Sequence, residues 1–114
     1  MAGTLIVNEN DDWLPPGWLF DNVLRRISTE LPDDEEVLRD ILRQADTART
    51  SYADLRELAP DSFRLLVKIA DRAYDAVASD GPSAFHDPSA FPGYIRWFDD
   101  LRSKLKRDPR AAAE

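Results

Sequence analysis

In the stretch GWLFDNVLRRISTEL, the apolar residues Phe20, Val23, Leu24, Ile27 and Leu31 return every three or four positions. That is the period of one helical face and predicts a helix over about 17–31, with Arg25 and Arg26 pointing away from the buried side. Pro15-Pro16-Gly17 makes a stiff lead-in, and Leu31-Pro32 ends the helix because the residue before a proline avoids the α region. A second stripe, Val37, Leu38, Ile41, Leu42 and Ala45, predicts a helix over 33–47. Asp33, Asp34, Glu35 and Glu36 occupy its start, where the helix dipole favours negative charge. A break at 48–51 and a short helix over 52–59 follow, although apolar spacing through Tyr52, Leu55 and Ala59 also permits one continuous helix.

Pro60 restarts the chain in a first helical turn. Phe63, Leu66, Val67, Ala70, Ala73, Tyr74 and Val77 then predict a third main helix over 60–79. The fourth, over about 90–107, carries Tyr94, Ile95, Trp97, Phe98, Leu101 and Leu105; Trp97 and Phe98 are adjacent, so one of them belongs at the edge of the core. Residues 1–16 read as an extended arm. Their apolar run Thr4-Leu5-Ile6-Val7 is part of that arm or a lone edge strand, with no second strand candidate to pair with. Residues 80–92 read as a Pro-rich loop and 108–114 as a flexible tail. The expectation is an all-α fold: one domain over 1–114, a small bundle of four main helices.

Composition narrows the function classes. The chain has 114 residues, of which 43% are hydrophobic and 32% charged, a balance suited to a packed core rather than disorder. No apolar run approaches the length of a membrane span, and MAGTLIVNENDD lacks the pattern of a secretory signal, so the cytoplasm is the expected location. Without cysteine there is neither a disulfide framework nor a thiolate nucleophile. The core suffices for a monomer and leaves a homodimer open. The net charge of −7 is uneven: residues 1–61 hold 14 acidic residues and 6 arginines, whereas residues 62–114 hold 8 acidic and 9 basic ones. An acidic first half suits a basic protein partner and repels phosphate.

Few residues suggest chemistry. GPSAFHDPSAFPGY writes Pro-Ser-Ala-Phe twice around His86, the single histidine of the chain. Phe85 and Phe91 either pin this loop to the helices or anchor a partner; a lone histidine beside Asp87 makes no metal site. Trp13 lies outside every stripe and is a candidate for capping the end of the bundle or meeting a partner. Glu36/Asp40 and Asp71/Asp75 are spaced as metal-binding carboxylate pairs would be, but Arg39, Arg43, Lys68 and Arg72 thread among them and indicate ion-paired helix surfaces. Arg102, Lys104, Lys106, Arg107 and Arg110 make the last helical turns positive. No nucleophile elbow or phosphate-binding glycine loop is present, so no enzyme and no cofactor are expected.

In charge, size and helicity the chain is similar to small acidic helical proteins that bind another protein, among them bacterial immunity proteins, antitoxin partners and phage-encoded inhibitors. That resemblance implies a non-catalytic, stoichiometric inhibitor of a basic partner protein. Asp33, Asp34, Glu35, Glu36 and Asp40 would steer the encounter, and Phe85, Phe91 and Trp13 would anchor it. A nucleic-acid-binding regulator using the basic C-terminal helix end is the alternative, and a helical metal-dependent nucleotide hydrolase a third.

Overall fold

A computed structural model describes residues 3–33, 35–47 and 52–112. In chain order these form strands β1 (Thr4–Ile6) and β2 (Asp12–Trp13) and helices α1 (Gly17–Thr29) and α2 (Glu36–Thr47). Strand β3 (Tyr52–Asp54) and helix α3 (Pro60–Asp80) follow. Two 3-10 turns (Pro82–Ala84 and Pro88–Ala90) then lead to α4 (Phe91–Arg107) and a last short helix, α5 (Pro109–Ala112).

The four longest helices overlap the predicted spans, α1 ending at Thr29 rather than 31 and α2 starting at Glu36 rather than 33. Leu19, Phe20, Val23, Leu24 and Ile27 of α1 are buried, as are Phe63, Leu66, Ile69, Ala70, Ala73 and Val77 of α3 and Tyr94, Phe98, Leu101 and Leu105 of α4. Helix α3 packs against α4, and α1 against α2. Phe98 is fully buried while Trp97 sits half-buried at the rim of the core. Gly81 closes α3 with φ = 74°, a backbone region that only glycine visits without strain.

The fold is mainly helical but not all-α, because β1 does find partners. It runs antiparallel to β2, pairing Leu5 with Trp13, and parallel to β3, pairing Thr4 with Tyr52 and Ile6 with Asp54. The sheet order is β2-β1-β3. The predicted extended arm is therefore a hairpin. Asn8 turns it, its side-chain oxygen accepting from Asn10 N at 2.8 Å and Asp11 N at 2.9 Å, an Asx turn. Gly3, Leu5 and Val7 alternate inward with a period of two, and a Cβ at Gly3 would collide with the Phe20 ring. Main-chain bonding between strands far apart in sequence overrides local propensity here.

Three further expectations are corrected. Residues 52–59 hold a strand and a turn instead of a short helix: Leu55 N donates to Ile6 O at 2.8 Å, which extends the ladder, and Leu58 N bonds back to Leu55 O. Val37, assigned to the α2 stripe, is 56% exposed; Leu38 and Leu42 carry the burial there. The tail is ordered through Ala112 by α5. The expected break at 48–51, the Ala45 side chain, Asp34, and residues 1–2 and 113–114 lie outside what the structure describes.

Candidate partner-binding surfaces

Helix α2 starts at Glu36, so Asp33 and Glu35 precede it rather than filling its first turn. Asp33, Glu36 and Asp40 are exposed and Glu35 is half-buried, which leaves an acidic edge facing solvent. Asp40 pairs with Arg43 at 3.4 Å; both side chains are more than half exposed, and such a pair adds little stability. Asp34 cannot be placed, being outside the described residues.

Trp13 leaves the list of partner contacts. Its register opposite Leu5 turns it inward, where it is fully buried, stacks on Phe20 at 6.2 Å and donates its indole N–H to Trp97 O at 2.9 Å. Phe85 and Phe91 are half-buried and pack edge-to-face on each other at 5.6 Å, while Phe85 meets Tyr94 in the same way at 4.8 Å. Phe91 opens α4, so the Pro-rich segment ends at Ala90, two residues before the expected 92. These rings tie the loop to the helices.

His86 is exposed between the two 3-10 turns. Its neighbour Asp87 is engaged elsewhere, accepting from Ser89 N at 3.1 Å and from Ser89 Oγ at 2.6 Å, which holds its carboxyl below the usual carboxylate range. Among the described residues no three histidine, aspartate or glutamate side chains gather as metal ligands would. No helix among them is long and apolar enough to cross a membrane.

The basic C-terminal turns face carboxylates of this same chain. Arg102 lies 3.6 Å over the Tyr74 ring and bridges Asp71 at 3.1 Å and Asp99 at 2.7 Å. Lys106 meets Asp71 and Arg107 meets Asp11, both at 3.1 Å, while Lys104 pairs with Asp100 at 3.2 Å and donates to Asp12 O at 2.7 Å. Each of these cations therefore has a carboxylate partner on this same chain.

Arg110 reaches further. Its guanidinium lies 4.1 Å from the Phe63 ring centre and donates to the carbonyls of Leu55 (2.7 Å), Leu58 (2.9 Å) and Val7 (2.9 Å). It also grips Asp108, which is 3% exposed and accepts from Asn8 Nδ2 at 2.8 Å. Hydrogen bonds from Arg110, and then from Asn8, hold the Asp108 carboxyl at about 2 against the opposing effect of burial.

A surface along the outside of α1 was not foreseen from the sequence. Trp18, Asn22, Arg25 and Thr29 follow one another at intervals of four, three and four, with Arg26 beside them. Trp18 is 54% exposed, and its ring rests 6.3 Å from Tyr94. Asn22 Oδ1 accepts from Tyr94 Oη at 2.7 Å and from Arg26 Nε at 3.0 Å. Burial pushes the Tyr94 phenol up to about 12, opposed by the nearby Arg26, so the ring stays a neutral hydrogen-bond donor. A cleft of about 400 Å³ flanks α1 on the α2 side, lined by Leu24, Arg25, Arg39, Leu42 and Arg43. Another of about 500 Å³ separates Trp18 and Arg26 from Phe85 and His86 of the loop. Arg25 and Arg26 were legible as outward-pointing; the approach of Arg39 and Arg43 from α2 depends on helix packing and has no local signal.

No protein-family profile matches this sequence, and no curated protein matches it. Among solved structures, the fold is similar to that of a chain in the CdiA-CT toxin from Burkholderia pseudomallei E479 in complex with its cognate CdiI immunity protein. The TM-score is 0.74 at 20% identity, over 96% of this chain and 99% of that one. At that identity the likeness is one of fold.

Proposed function

We propose that this protein is a non-catalytic binding module of the immunity type, which occupies a toxin and blocks it in a stoichiometric complex. The observation that carries the reading is the end-to-end fold likeness to a chain of a toxin–immunity complex. The placement of titratable groups favours the immunity role over the toxin role: His86 stands exposed on a loop, and its neighbouring carboxylate is turned to Ser89. The exposed carboxylates Asp33, Glu36 and Asp40 are suited to steering a basic partner surface.

The test is co-expression with the protein encoded in the neighbouring reading frame. The expected result is a one-to-one complex, and growth restored to cells that the neighbour alone arrests. If this chain alone arrests growth and the neighbour relieves it, the roles are reversed and the reading fails. Within the complex, converting Asp33, Glu36 and Asp40 to their amides should slow association several-fold and flatten its salt dependence, with little change in the dissociation rate. Stopped-flow mixing at two salt concentrations checks this.

A further inference from the structure

Resting on the reading that this protein binds another protein, we infer that the outer face of α1 receives a carboxylate-bearing segment of the partner, with Trp18 as aromatic anchor and Arg25, Arg39 and Arg43 as ion-pairing groups. This surface adjoins the acidic edge, since Arg43 pairs with Asp40 at 3.4 Å, and is opposite to it in sign.

Three observations support it. The first is the state of the tryptophans. Trp13 is fully buried and Trp97 packs against the core, whereas Trp18 is 54% exposed although its ring is backed by Tyr94. A ring held from behind and open in front loses little conformational freedom when a partner covers it, which is how aromatic anchors concentrate binding energy. The second is local order. Asn22 joins Tyr94 to Arg26 through hydrogen bonds of 2.7 and 3.0 Å, fixing the middle of this face. Across the cleft, Arg39 Nη2 donates to Pro32 O at 2.8 Å, which sets the direction of its guanidinium while using one of five donors.

The third is charge. Arg25, Arg39 and Arg43 line one cleft around an apolar floor of Leu24 and Leu42, and Arg26 lines the next. On a chain of net charge −7, the three arginines outnumber the carboxylates beside them, Asp21 in the cleft and Asp40 paired with Arg43. Guanidinium groups beside an apolar floor match a segment that alternates carboxylates with aliphatic side chains, because the planar fork takes a carboxylate in two parallel hydrogen bonds. A phosphate would also satisfy the fork. The apolar floor, Asp21 in the same cleft and the acidic body disfavour a polyanionic backbone, so the occupant is a protein segment.

The experiment is a titration of the 15N-labelled protein followed by NMR, reading the Trp18 indole N–H and the arginine Nε–H signals. Three probes are added separately: a 14-residue amphipathic peptide of glutamate and leucine, its lysine-for-glutamate counterpart, and a 12-nucleotide single-stranded RNA. The expected result is saturable shifts at Trp18, Arg25, Arg39 and Arg43 with the glutamate peptide alone. Affinity should weaken at least tenfold in Trp18→Ala and in Arg25→Glu, both changes at exposed positions of α1. Unaltered thermal unfolding verifies that these variants fold, and the wild-type map needs no variant at all.

Absence of shifts with the glutamate peptide, shifts confined to another face, or equal shifts with the lysine peptide would overturn the inference. RNA acting on the same signals at lower concentration would replace it with a nucleic-acid groove. Failure here is separable from failure of the immunity reading. If Trp18→Ala/Arg25→Glu binds the co-expressed toxin as tightly as wild type, the binding module stands and the α1 surface does not. If wild type forms no complex, the module itself fails.

Discussion

Helices α3 and α4 hold together through apolar stripes that meet face to face, whereas the two ends of the chain are joined by polar contacts between residues about as far apart in sequence as the chain allows. Asn8 bonds to Asp108, Arg110 to Val7 O, Arg107 to Asp11, Lys104 to Asp12 O, and Trp13 to Trp97 O. The middle rests chiefly on hydrophobic positions that recur with the right period, with Arg102 and Lys106 meeting Asp71 at its edge. The ends need particular donors and acceptors to meet. They are thus the region where one lost side chain removes hydrogen bonds from several part-buried polar groups at once.

The strongest way to break this comparison is Arg110→Ala. It would take the guanidinium from a buried carboxylate that keeps only Asn8 Nδ2 and the residue-110 N–H, remove hydrogen bonds to three carbonyls and uncover the Phe63 ring, and breaking a buried pair from one side costs about 3–5 kcal/mol. Leu66→Ala in α3, a cavity change in the apolar middle, should cost about 2–5 kcal/mol. Urea unfolding of both variants compares the regions directly. An Arg110→Ala protein as stable as wild type would mean that the C-terminal turn frays, as its sequence suggests, and that these contacts contribute nothing.

Acid sharpens the same comparison. The Asp108 carboxyl sits at about 2 in the folded chain, below its ordinary 3.8. Its contribution is therefore complete above about pH 4 and is lost as pH falls toward 2; a depression of that size corresponds to roughly 2 kcal/mol. Thermal unfolding followed from pH 5 to pH 2 should show this limb in wild type and in Leu66→Ala, and a flattened one in Asp108→Asn. An identical acid limb in Asp108→Asn would assign the loss to other carboxylates.

Sequence legibility follows the same division. The stripes of α1, α3 and α4 are visible because burial on a helix face is a local, periodic property. Strand β3 is not, because YAD has no period of its own and becomes a strand only where Ile6 and its neighbours offer a free edge. Trp13 read as either a cap on the bundle end or a partner contact, because nothing near it in sequence shows Leu5 opposite and Trp97 O within reach. Arg110 looked like part of a solvated tail, since its partners lie beside residues 7, 55 and 58. Of the candidate site, the exposure of Asp33, Glu36 and Asp40 was legible from charge. The cleft between α1 and α2 was not, because it exists only once two helices are packed.

The smallest effects belong to the loop, which lies between these extremes: Phe85 touches the core, and His86 touches solvent. Phe85→Ala removes two edge-to-face ring contacts at a half-buried position and should cost about 1–2 kcal/mol in the free protein. Phe91→Ala removes one such contact and should cost less. Neither should speed dissociation of the partner beyond what lost stability explains, because both rings face inward to each other and to Tyr94. His86→Ala should leave the melting temperature and the off-rate unchanged, since no neighbouring carboxylate is turned toward it. Measuring both quantities on the three variants separates a tether from a contact site. A faster off-rate at unchanged stability in Phe85→Ala would mean that the ring leaves Tyr94 to meet the partner.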